Sequence, residues 1–110
     1  MKILYCYLGD DVKIHKEIRD VEDSLEVYQA LVDGPLEVYP ITDNLIIVLN
    51  EEGKLRFKPI IAIALSDFAD IPELIAGNFF ICRRENFDFA DLNIEEDLNE
   101  INSRILVAQK

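Results

Sequence analysis

Apolar and polar positions alternate along the first twenty residues. In residues 3–8, Leu4, Cys6 and Leu8 point one way and Ile3, Tyr5 and Tyr7 the other, and both sets are largely apolar. That pattern predicts a strand covered on both faces. Gly9-Asp10-Asp11 is a turn signal. Beyond it Val12, Ile14 and Ile18 alternate with Lys13, His15 and Glu17, as in a half-buried strand, so the two runs read as a hairpin. The period then lengthens. Leu25, Tyr28, Leu31 and Val32 fall on one face of a helix. Asp23 or Ser24 is its N-cap. Gly34 is positioned to supply the left-handed residue at its end, and Pro35 prevents continuation.

Alternation returns with Leu36, Val38 and Pro40, then a solid apolar run over residues 45–49, the two split by Thr42-Asp43-Asn44. Proline has no N–H to donate, so Pro40 belongs at a strand end or a sheet edge. Asn50-Glu51-Glu52-Gly53 has turn chemistry, with Asn first and Gly fourth, where the glycine suits a left-handed bulge. Residues 54–57 read as the start of the returning strand. Neighbouring carboxylates on such a turn do not aim at one point, so Glu51 and Glu52 are not expected to be a catalytic pair. Residues 59–65 stay open between a short helix begun by Pro59 and a strand favoured by three isoleucines. Residues 66–72 read as loop, and 78–82 as a buried strand entered through Gly77. The last helix is the clearest. Asn93 is its N-cap with Glu96 at the capping-box position, and Ile94, Leu98, Ile101 and Ile105 form one stripe. Acids crowd its first turn, with Arg104 and Lys110 toward its end, as the helix dipole favours. The order β-β-α-β-β-β-α predicts a single α+β domain over 1–110, a mainly antiparallel sheet of about five strands with two helices packed on it.

Charge narrows the partners. The chain carries 22 acidic and 11 basic residues, a formal net charge of −11. That disfavours binding that neutralises phosphates and docking on an anionic membrane. It suits a basic partner or imitation of a polyanion. No run approaches the about 18 apolar residues of a membrane span. The apolar N-terminal run is too short for a signal peptide and ends at Asp10 and Asp11, which points to a cytoplasmic protein. Cys6 and Cys82 lie in apolar runs with no CxxC spacing, and His15 is the one histidine. No structural zinc and no cofactor is therefore expected, and the cysteines read as buried small hydrophobes.

Reactive constellations are sparse. A Ser-His-Asp arrangement would need His15, which faces outward on its strand, and no serine is close to it in sequence. Neither G-x-G-x-x-G nor a P-loop pattern occurs. Residues 86–91 alternate only partly as a calcium loop would, and their phenylalanines favour packing. No catalytic or metal-ligating residue is assigned, and an enzyme is not expected. Two binding features remain. Seven acids and no base lie between Glu85 and Glu100, and Glu95, Glu96, Asp97 and Glu100 on the helix are the candidate contact residues. Arg83-Arg84 either clamps an anion or balances these acids.

Three segments carry a family resemblance: Gly34-Pro35-Leu36-Glu37-Val38-Tyr39-Pro40-Ile41, then residues 44–55 with their Asn50-Glu51-Glu52-Gly53-Lys54 core, then Ile75-Ala76-Gly77-Asn78-Phe79-Phe80-Ile81. Together they resemble the domain of unknown function 3846 family, small proteins often encoded by bacteriophages and other mobile elements, over nearly the whole chain. Where that family commonly has a polar Asn-Arg pair after the proline, this chain has Ile60-Ile61-Ala62-Ile63. The resemblance implies a phage or mobile-element setting and transfers no activity. The function expected is a non-enzymatic accessory or anti-defence factor that occupies a host protein, one that is basic and binds nucleic acid. The alternative is a binder of a small molecule or nucleotide signal, working as a homo-oligomer, with Arg83 or Arg84 on the ligand's phosphate.

Overall fold

A computed structural model describes residues 1–108. The chain opens with the expected hairpin of β1 (Lys2–Leu8) and β2 (Ile14–Asp20), paired from Lys2↔Asp20 to Leu8↔Ile14. Helix α1 (Leu25–Val32) follows. Ser24 is its N-cap, its Oγ accepting from the Val27 N–H. The left-handed residue that ends α1 is Asp33 (φ 60°), not Gly34. A short polar side chain tolerates that conformation, and Gly34 is instead pressed against the Asn50 amide. The chain then forms β3 (Leu36–Pro40) and β4 (Leu45–Asn50). Pro40 lies on an edge strand, as its missing N–H requires.

The turn after β4 differs from its reading. Residues 51–57 form consecutive turns rather than a returning strand, closed by Arg56 N–H to Glu52 O and Lys58 N–H to Gly53 O. Gly53 does not take a left-handed conformation. It is glycine because a Cβ there would stand 2.7 Å from the Ala76 carbonyl oxygen. Asn50 is buried, and it ties the turn to α1. Its Nδ2 donates to the Val32 and Asp33 carbonyls, and its Oδ1 accepts from the Glu52 N–H. Asn50→Ala should cost about 2 kcal/mol, because two helix-end carbonyls and one amide lose their partner inside the protein. The urea midpoint at neutral pH measures it.

Residues 59–65 resolve as a strand, β5 (Ile60–Ala64), followed by β6 (Glu73–Ala76), β7 (Phe79–Glu85), β8 (Asp88–Ala90), α2 (Ile94–Arg104) and β9 (Ile105–Val107). Strands β6, β8 and β9 go beyond the sequence reading. Ile105, assigned there to the helix stripe, starts β9, because Ala64 pairs with it. The placing of Lys110 near the helix end lies outside the described residues. The α+β class is as expected, but the strands divide between two sheets. The larger runs β2-β1-β7-β4-β3, with β8 beside β7; the smaller runs β6-β5-β9. Every pairing is antiparallel.

Alternation along β4 and β7 builds a core on each face of the larger sheet. Ile46, Val48, Phe80 and Cys82 face α1, meeting Tyr28 and Val32. Ile47, Leu49, Phe79 and Ile81 face the smaller sheet and α2, meeting Ile61, Ile75 and Ile101. Both faces are covered, so the central strands are solidly apolar although the sheet is antiparallel. Of the set expected inward on β2, Ile14 is half-buried against the core but the rest is not. Lys16 and Ile18 are exposed, while His15, Glu17 and Arg19 are half-buried beside Tyr5 and Tyr7. The smaller sheet does not extend over this edge strand.

Candidate functional site

Adjacent residues of a strand point to opposite faces, and this separates the two arginines. Arg83 faces α2. Its Nε and NH2 groups donate to the two Asp97 carboxylate oxygens at 2.7 Å each, and NH2 also reaches Glu96 at 3.1 Å. Arg84 faces the other way, in a shallow cleft with Asn44 and Phe87. The pair is therefore no single anion clamp.

The acids of α2 also have separate roles. Asp97 is 4% exposed and is not a contact residue. It accepts the Asn93 N–H at 2.8 Å, so it, rather than Glu96, performs the reciprocal half of the capping box. Asn93 Oδ1 accepts the Glu96 N–H in return. Burial pushes the Asp97 carboxyl up, but the Arg83 hydrogen bonds and the Asn93 amide outweigh it and hold the group below the usual range. Glu100 pairs with Arg104, which also binds Asp67 and so ties α2 to the 66–72 loop. Glu95 and Glu96 are exposed. An open cleft of about 440 Å³ collects Asp43, Asp67, Glu96 and Glu100 around the Arg83 pair. Among the described residues, no three His, Cys, Asp or Glu side chains are grouped to hold a metal ion.

The other reactive groups are engaged in the fold. His15 Nε2 lies 3.0 Å from both Asp11 carboxylate oxygens, and its ring stacks on Tyr7. Ser24 caps α1, Ser66 Oγ donates to Pro40 O, and Ser103 Oγ donates to Glu100 O. Cys6 and Cys82 are free and buried on opposite faces of the larger sheet, and burial pushes both thiols up to about 12. Such thiols stay protonated and poorly nucleophilic.

Among the described residues, one contiguous apolar face is left uncovered by the fold. On the outer side of the smaller sheet, Ile63 is directly opposite Leu74 on β6 and Leu106 on β9. The three form a row and are 36%, 47% and 59% exposed. Leu65 and the loop residues Phe68 and Ile71 are exposed beyond one end of it. Residues 60–65 and 105–108 contain no charge, in a chain that is 30% charged. Scattered exposed leucines are ordinary, but a contiguous row is the mark of a contact surface. Its border is net acidic: Asp67, Asp70, Glu73 and Glu100 outnumber Arg104, which pairs with Asp67 and Glu100, and Lys54, which pairs with Glu73. Sequence reading missed this surface. The one signal was the absence of any polar residue at alternate positions of 60–65, which left strand and helix undecided.

No helix of the described residues is long and apolar enough to cross a membrane. No curated protein and no solved structure matches the chain. The family model described as Domain of unknown function (DUF3846) matches residues 1–104, and the chain belongs to that family.

Proposed function

We propose that this chain is a non-enzymatic binding protein that acts by occupying another protein, through the outer face of the smaller sheet. The observation that carries this reading is the charge-free row Leu74–Ile63–Leu106 beside the acidic border of Asp67, Asp70 and Glu100. An apolar centre with a charged rim is the anatomy of a protein interface. The partner chemistry it matches is an apolar patch edged with lysine and arginine, as on a basic, nucleic-acid-binding host protein. A role as a phage or mobile-element accessory that counters host defence fits the family resemblance and this surface. The engaged serines, the protonated thiols and the His15–Asp11 pair support a role without catalysis.

The acidic stretch then contributes its rim residues Glu96 and Glu100 rather than Asp97, which is committed to Arg83. A nucleotide signal held by Arg83 or Arg84 draws less support, since one guanidinium is committed to Asp97 and Glu96 and the other points to the opposite face of the sheet. A second copy of the chain is the competing occupant of the face.

The test is affinity capture from host extract with the wild type, Ile63→Lys/Leu106→Glu, and Glu96→Lys/Glu100→Lys. A basic protein should be captured by the wild type, lost with the first variant, and weakened with the second in a salt-dependent way. The first variant alters exposed positions and should keep stability within about 0.5 kcal/mol of the wild type, while the second also gives up the Glu96–Arg83 and Glu100–Arg104 ion pairs, so its melting temperature is measured beside its capture. Identical capture by all three proteins rules the surface out, and a wild-type dimer in sedimentation that the first variant abolishes assigns the face to a second copy.

A further inference from the structure

Where the smaller sheet stops short of the β1–β2 hairpin, a cavity of about 370 Å³ remains between the two sheets. One wall is Leu8 and Ile14, cross-strand partners at the turn end of the hairpin. The opposite wall is Pro59, Ile60 and Ile61, where the pairing of β5 shifts register. The volume lies in the range of small-molecule sites and is more than twice the roughly 150 Å³ that admits a benzene ring. The cavity shares no residue with the row on the outer face of the smaller sheet.

Two features at its lip call for a reason. Val12 lines the cavity with φ of 62°, a left-handed conformation that a β-branched residue rarely adopts. The turn is closed by Val12 N–H to Gly9 O and Gly9 N–H to Lys13 O, and glycine or asparagine would fit that left-handed position with less strain. Strain of this kind persists where something other than stability holds it. The second feature is Lys13, among the described residues the one charged side chain lining the cavity, in a chain of net charge −11. Among the described residues its ammonium enters no ion pair. The nearest acid in sequence, Asp11, is turned to His15 and to the Lys13 backbone N–H.

The geometry points to a binding site for a small amphipathic anion, a single apolar chain held between Leu8, Val12, Ile14 and Ile60, ending in a carboxylate or phosphate on the Lys13 ammonium. The apolar walls supply the attraction and the lysine supplies orientation and sign, the usual division of labour in such pockets. Lysine is a point charge and takes either head group.

The test is an amide NMR titration of the full chain with decanoate, decyl phosphate, decanol and decylammonium. Decanoate or decyl phosphate should shift the Leu8, Ile14 and Ile61 amides, and which of the two binds tighter identifies the head group. Decanol should bind about tenfold more weakly and decylammonium more weakly still, the size of effect one charge contact gives. Lys13→Glu should remove the preference for the anions over decanol without unfolding the protein, because the side chain is exposed. Val12→Gly should raise the melting temperature of the free chain by about 4 °C by relieving the backbone, while weakening decanoate severalfold. Shifts that are absent or spread over the whole molecule overturn the site. So does equal affinity for decanoate and decanol, or anion binding that neither substitution alters.

Discussion

Phe80→Ala is expected to remove about 4 kcal/mol of stability and to lower the melting temperature by roughly 20 °C. Phe80 is fully buried on β7. On its face of the sheet, its ring centroid lies 5.4 Å from that of Tyr28 on α1 and 6.2 Å from that of Phe89 on β8. The substitution therefore empties the contact between α1, β7 and β8 together, and three separate elements would have to move to close the cavity. The Tyr28 hydroxyl, which donates to Asp23 just before the helix, ties the same contact to the α1 N-terminus. A domain with about 5–15 kcal/mol in total is brought close to unfolding by such a loss. Calorimetry gives the shift directly. A fall under about 5 °C would mean that α1 collapses onto the sheet and that the cluster is softer than its packing implies. Phe80→Leu, which keeps most of the volume, should cost about 1.5 kcal/mol.

Asp97→Ala is the second large effect, about 3 kcal/mol at neutral pH. Removing one partner of a buried ion pair leaves the other desolvated. Here it also deprives the Asn93 N–H of its acceptor. The loss sits at the lower end for such pairs because Arg83 retains Glu96. Replacing both partners, as Arg83→Met/Asp97→Leu, should recover part of it, since no charge is then stranded.

The pH dependence separates this from simple helix fraying. Asp97 has a lower pKa folded than unfolded, so the folded protein binds fewer protons there. Its contribution is fully present above the unfolded value of about 4 and is lost as the pH falls through the lowered folded value. Asp11, Glu17 and Asp33 are lowered too, by hydrogen bonds to His15, Tyr7 and Lys58 respectively. They are common to both proteins and cancel in the difference. The gap between wild type and Asp97→Ala should therefore be largest near pH 7 and narrow below about pH 4. Urea denaturation at the two pH values measures it, and a gap independent of pH would show that the carboxylate charge is not what holds α2.

The candidate surfaces were legible to different degrees. The acids of α2 were visible as a run, but their meaning was not. Helical spacing places Asp97 one turn past Asn93, and only the position of β7 decides that Arg83 waits there. Arg83 and Arg84 looked like one basic pair because they are neighbours in sequence, yet the strand pleat sends them to opposite faces. The row Leu74–Ile63–Leu106 joins residues from three segments, so no local window contains it.

By itself, the sequence determined what depends on near neighbours. Period-two alternation and Gly9-Asp10-Asp11 specify the first hairpin, Ser24 and Asn93 start the two helices, and the missing N–H of Pro40 keeps β3 at an edge. These are short-range matters of sterics and hydrogen bonding, complete within a few residues. Tertiary structure alone decided the division into two sheets, the ending of α2 at Arg104, and which charges are buried. Ile105 fits a helix stripe as well as a strand, and its choice is made by Ala64, a pairing partner far away along the chain. Burial works the same way: a carboxylate's surroundings are set by whatever segment packs against it, and the sequence around Asp97 contains no trace of that segment.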